Sequence, residues 1–169
     1  MDSKSNSGKI EFANVSVVIT DPCYLTRKIK DGFDGGNDWE LCDYGEHMDK
    51  LGFTTFKTFR NGFGDGAWKV FDSKSGKKLG EIWADSGLTG IYLLNDITNY
   101  NPTARVLQSE PEQPHGAIIL KNFTGAINWR FEETIFQCFG KFHYLILTVS
   151  GNSDGEAVEF MVSFAEMRP

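Results

Sequence analysis

Residues 65–87 read DGAWKVFDSKSGKKLGEIWADSG, and the way this stretch folds back on itself decides the fold class. Two runs rich in Trp, Val, Phe and Ile, Ala67–Phe71 and Leu79–Ala84, flank Ser75-Gly76, a two-residue turn in which Gly accepts positive φ. Centred there, the register sets Trp68 opposite Trp83, an aromatic cross-strand pair that contributes about 0.2–1 kcal/mol over an alanine pair. The same register carries Asp65 opposite Ser86 and beside Asp85. Two neighbouring carboxylates repel unless a proton, a cation or several donors satisfy them, so the open end of this hairpin is the first place to look for chemistry. Gly64, Gly66 and Gly87 flank the pair and let the backbone turn sharply, offering amide groups to a ligand. A plainer role for both Asp residues is turn capping, which Asp performs readily beside Gly.

Outward from the hairpin, strand-like runs dominate the chain. They are Lys9–Phe12, Val15–Thr20, Phe53–Arg60, Gly90–Leu94, Ala117–Phe123, Ile127–Phe136, Phe142–Val149 and Ala157–Ala165. In the last, Val158, Phe160, Val162 and Phe164 alternate with Glu159, Met161, Ser163 and Ala165, which predicts one face on the core. One helix is expected near residues 38–50, with Asp38 as N-cap, Gly52 as stop, and Trp39 and Cys42 on its inner face. Residues 95–116, with Pro102, Pro111 and Pro114, read as a long polar loop acting as a lid or an insertion. The expectation is therefore a mainly β (α+β) domain: a curved antiparallel sheet, a sandwich or a partly closed barrel with a single helix.

A chain of 169 residues with 40% hydrophobic and 14% aromatic residues builds one core without disulfides or metal. Residues 1–8 read as a flexible tail and 9–169 as a single domain. A net charge of −6 opposes general binding to nucleic acid or an anionic membrane, and no run approaches the roughly 18 apolar residues of a spanning helix. Cys23, Cys42 and Cys138 lack paired spacing and come after no signal-like apolar run, so the expected compartment is the reducing cytoplasm. His47, His115 and His143 show no zinc spacing. Asp72-Ser73-Lys74-Ser75-Gly76 opens like a calcium loop, but Lys74 replaces a ligand and no Glu stands at the twelfth position, so a hairpin turn accounts for it.

A further element joins the hairpin. The apolar run Val15–Ile19 ends in Thr20-Asp21-Pro22-Cys23-Tyr24, and Pro22 stops the strand so that Cys23 and Tyr24 are held at its end. Cys23 is a nucleophile if its pKa is lowered and otherwise a small buried hydrophobe. The order Asp21-Pro22-Cys23-Tyr24, Asp38-Trp39, Gly64-Asp65-Gly66 and Asp85-Ser86-Gly87 before Leu88–Ile91 resembles an uncharacterised family of small phage and bacterial proteins. The resemblance covers about residues 15–95 and implies that Asp21, Asp65 and Asp85 form one unit. The chain departs from the pattern by an insertion, Thr26–Asn37, and by its C-terminal half.

These readings converge on a pocket of Asp21, Cys23, Tyr24, Gly64, Asp65, Gly66, Trp68, Asp85, Ser86 and Gly87. The first expectation is a small-ligand-binding module for a polar, nucleotide-like or other metabolite. Two alternatives come from other classes. One is a hydrolase in which Asp65 and Asp85 divide acid and base roles, with or without a divalent cation, or in which Cys23 attacks. The other is a protein-interaction factor, such as a phage counter-defence protein, working through the 95–116 loop and the C-terminal strands.

Overall fold

The computed structural model of the protein describes residues 7–25, 47–108, 116–135 and 140–165. Eight strands are present among them: β1 Ser7–Thr20, β2 Phe56–Arg60, β3 Gly66–Phe71, β4 Lys78–Ala84, β5 Leu88–Leu93, β6 Ala117–Ile135, β7 Lys141–Ser153 and β8 Glu156–Ser163. Six of them form one antiparallel sheet in the order β2-β5-β1-β6-β7-β8, while β3 and β4 form a separate hairpin. The expected mainly β class with a curved antiparallel sheet is borne out.

The curvature has identifiable causes. The two N-terminal runs are one strand, β1, carrying register shifts between Phe12 and Val17 around Asn14, whose φ is 51°. Across from it, Asn122 in β6 has φ 46°, and the two strands exchange side-chain support through Asn14 N–H to Thr124 Oγ1 and Asn122 N–H to Ser16 Oγ. Such bulges bend and twist a sheet. Gly125 and Gly151 face each other across β6 and β7, and a Cβ on Gly125 would fall 2.7 Å from the Gly151 Cα and 2.9 Å from the Phe123 ring. At the other edge, the chain just after β2 reaches round to β7, where Leu145 N–H donates to the Asn61 carbonyl. Gly62 is required there, because a Cβ would lie 2.0 Å from the His143 oxygen. A single backbone bond is not a ladder, so the barrel stays open.

The hairpin lies over one face of this sheet. Trp68, Val70, Ile82 and Ala84 bury against Val17, Ile19, Ile91, Leu145, Leu147 and the alternating Val158, Phe160, Val162 and Phe164, as the period of the last strand predicts. The opposite face, carrying Val18 and Tyr92, is covered by short helical segments: single turns at Pro22–Leu25, Met48–Leu51 and Arg105–Gln108, and helix α1, Leu94–Tyr100. Among the described residues no helix is long and apolar enough to cross a membrane.

Several expectations are corrected. Trp68 pairs with Ile82, and Trp83 with Ala67, one residue away from the expected register. The turn is longer than two residues: Asp72 N–H bonds to Lys77 O, and Leu79 is an extra residue between the pairs Phe71↔Lys78 and Val70↔Gly80. A slip of one residue reverses faces, so the two tryptophans are not a cross-strand pair. The expected loop at 95–116 begins as α1, anchored by Asp96, which accepts from Thr54 N–H at 2.8 Å and Thr54 Oγ1 at 3.0 Å. Ile97, Ala104 and Val106 are fully buried on the sheet. Residues 109–115 of that loop lie outside the described residues, as does most of the expected helix at 38–50, of which the turn Met48–Leu51 and its Gly52 stop are seen. Ser7 and Gly8, expected in the tail, open β1 opposite Arg130 and Trp129.

One side chain organises the loop that leads into the hairpin, and another ties the hairpin's turn to the sheet. Buried Asn61 accepts from Phe63 and Gly64 N–H and donates to Gly64 O, so Asn61→Ala should lower unfolding free energy by about 2 kcal/mol in urea titration. Asp72 closes the turn: its Oδ2 accepts from Lys74 and Ser75 N–H and from the Ser75 hydroxyl, while its Oδ1 accepts Glu159 N–H from β8. The Ser75 and Glu159 amides, then the Ser75 hydroxyl, lower its pKa from 3.8 to about 2. A carboxyl depressed on folding stabilises above its unfolded pKa and loses that contribution as pH falls through the folded one. The stability advantage over Asp72→Asn should therefore be full at neutral pH and vanish between about pH 4 and 2. A difference independent of pH would contradict this role.

Candidate functional site

The site grows from the end of β1. Asp21 is fully buried, and Pro22 directs the chain into the turn Pro22–Leu25, closed by Tyr24 N–H to Asp21 O. A buried carboxylate needs donors on both oxygens. Asp21 has four: Cys23 N–H at 2.9 Å and Ser86 Oγ at 2.6 Å on Oδ1, and Asp85 N–H at 3.0 Å and Ser86 N–H at 2.8 Å on Oδ2. It thereby ties the β1 exit to the β4–β5 turn, and its acceptor capacity is spent internally.

This clamp sets Asp85 in front of Tyr24, whose hydroxyl donates to Asp85 Oδ2 at 2.5 Å. Burial, then the bond to Asp85, pushes the phenol well above its usual range, so Tyr24 remains the proton donor. The Tyr24 ring meets Trp83 edge-on, with centroids 6.5 Å apart. Trp83 is oriented in turn by its N–H to Glu81 Oε1, and this bond, followed by the one from Lys78, lowers the Glu81 pKa. Asp85 itself is exposed.

The Gly-rich segment lies beside it. Asn61 N–H bonds to Gly87 O, and a Cβ on Gly87 would sit 3.6 Å from Gly64 Cα. Gly66↔Ala84 is the last pair of the ladder, so Asp65 and Asp85 lie just beyond it in bends at the same open end, and the pairing of Asp65 with Ser86 that the two-residue turn implied is not formed. Asp65 is exposed. Asp21, Cys23, Tyr24, Gly64, Asp65, Gly66, Asp85, Ser86 and Gly87 are thus brought to one end of the hairpin.

Two expected members differ. Trp68 leaves the group: it is 3% exposed on the other face of the hairpin, against Phe164 at 4.6 Å. Cys23 stays nearby but is fully buried in the second core, which suits a packing residue better than an accessible nucleophile. Sequence reasoning passed over Asn61 and Glu81. Asn61-Gly62 at a strand end was the available sign of the first; nothing local distinguishes Glu81. Among the described residues no group of three or more His, Cys, Asp or Glu could hold a metal ion.

No family model, curated protein or solved structure matches the chain.

Asp21→Asn turns an amide donor toward donors that need an acceptor, and should lower stability by about 3 kcal/mol. Asp65→Asn, on an exposed carboxylate, should change it by less than about 0.5 kcal/mol. Urea denaturation of both variants checks the contrast; equal losses would remove the distinction between clamp and surface group.

Proposed function

We propose that this chain is a small-ligand-binding domain, in a phage or bacterial setting, that recognises a polar molecule at the hairpin end. Asp85 carries the reading. Its carboxylate is exposed, while its amide is pinned by buried Asp21 and one oxygen is held by the Tyr24 hydroxyl. A preorganised acceptor of this kind binds a ligand hydroxyl, amino or cationic group with little ordering cost. Asp65, at the same open end of the hairpin, supplies a second carboxylate, Gly64 and Gly87 allow close approach of a ligand to the backbone, and Trp83 beside Tyr24 offers aromatic surface.

The presence of both Asp65 and Asp85 at the open end of the hairpin also favours one second reading, a hydrolase. In that case these two carboxylates divide the acid and base roles, with or without a divalent cation, since Asp21 has its acceptor sites filled. Turnover separates the two readings: product formed by wild type and lost in Asp85→Asn marks the enzyme.

A melting screen against nucleotides, polar metabolites and divalent cations tests the binding reading. A ligand at 100 times its Kd adds about 2.7 kcal/mol, or roughly 5–10 °C for a chain of this size. Asp85→Asn should abolish that shift and Tyr24→Phe should reduce it. Shifts that survive Asp85→Asn undiminished would sink the proposal.

A further inference from the structure

The six-stranded sheet ends at β2 on one side and at β8 on the other, and the two edges are finished differently. At β8 the hairpin turn occupies the outer side: Ser73 N–H donates to Glu159 O, and Glu159 N–H donates to Asp72 Oδ1. β2 has no such cover. Its pairing with β5 runs without a shift from Phe56↔Tyr92 to Arg60↔Leu88, and Asn61 N–H continues that register to Gly87 O at 2.9 Å. Backbone groups alternate sides along a strand. Lys57 and Phe59, in step with Asn61, therefore bond to β5, while the N–H and C=O groups of Phe56, Thr58 and Arg60 point outward. No group among the described residues bonds to them. The outer side closes only past the strand, where the Asn61 carbonyl accepts from Leu145 N–H.

This edge carries two cations. Lys57 lies over Trp129, its Nζ 5.2 Å from the ring centroid, on the same face as Phe59; Arg60 is exposed on the other face, in line with Phe56 and Thr58. Neither has an ion-pair partner among the described residues. In a chain of net charge −6 the edge is a local exception. Cations on an edge strand keep a second copy from pairing there, because two β2 strands side by side would bring like charges together. The same charges favour a strand that carries carboxylates.

We propose that β2 is a docking edge for an acidic peptide in extended conformation, which adds to the sheet as a further strand. Main-chain bonds to Phe56, Thr58 and Arg60 hold the segment, as in other cases of strand addition. Two carboxylates three residues apart in the peptide fall on opposite faces and pair with Lys57 and Arg60.

The probe is the acetylated, amidated peptide Thr-Glu-Val-Thr-Glu-Val-Thr. One control carries Gln at both Glu positions, and another carries N-methyl groups on its three central amides. Amide resonances and hydrogen exchange of the full chain report binding. In the free protein the amides of Phe56, Thr58 and Arg60 should exchange at least about tenfold faster than those of Lys57 and Phe59. At low ionic strength the peptide should bind saturably with a Kd of about 100 µM or tighter and protect the three fast amides. Arg60→Glu, a change on an exposed side chain, should weaken binding about tenfold or more. Slow exchange of the three amides in the free protein, no saturable binding, or equal affinity for either control peptide or in Arg60→Glu overturns the proposal. Dimerisation that rises with concentration and is abolished by Arg60→Glu also overturns it, by assigning the edge to a second copy.

Discussion

A carboxylate removed from water must be repaid in hydrogen bonds, and the Asp21 side chain meets that condition with four donors from two separate segments. Everything at the hairpin end depends on this. The bonds to Cys23 and Ser86 hold the β1 exit against the β4–β5 turn, which fixes where Asp85 projects and what Tyr24 can reach. Asn61 performs the corresponding task on the neighbouring turn, organising Phe63 and Gly64 while its backbone joins Gly87 and Leu145. Two buried polar side chains, each satisfied largely by backbone groups, thus convert flexible Gly-rich segments into a defined surface.

The hairpin then separates two chemistries. Its inner face carries Trp68, which packs in the main core against Phe164. Its open end carries Asp65 and Asp85, both acceptors and both exposed. Alternation of side chains along a strand explains how residues so close in sequence serve opposite surroundings. Trp83 illustrates the same point from β4: one register position decides whether it stacks inside the core or beside Tyr24.

Much of this was legible in the sequence, and the reasons are physical. β8 announced itself through strict alternation, because one side of it faces the core. The ordered motifs led to the expectation that Asp21, Asp65 and Asp85 form one unit; of these, the structure bonds the Asp85 amide to the Asp21 carboxylate. The register of the hairpin was out of reach, since it depends on a side-chain-capped turn at Asp72 and an extra residue at Leu79, neither of which alters the local hydrophobic pattern. The helix at Leu94–Tyr100 was hidden for another reason: its Asn- and Thr-rich stretch has weak intrinsic propensity, and its stability comes from burial of Ile97 and from Asp96 bonding to Thr54.

Amide hydrogen exchange at Asp85 and Ser86 tests the central role of Asp21 most directly. Both amides belong to a short turn, and without the clamp they should exchange as fast as the amide of Gly155 in the exposed β7–β8 turn. With Asp21 accepting both, they should be protected to a degree approaching that of the buried strand residues Val18 and Ile19. Exchange of Asp85 and Ser86 at the rate of Gly155 would contradict the account.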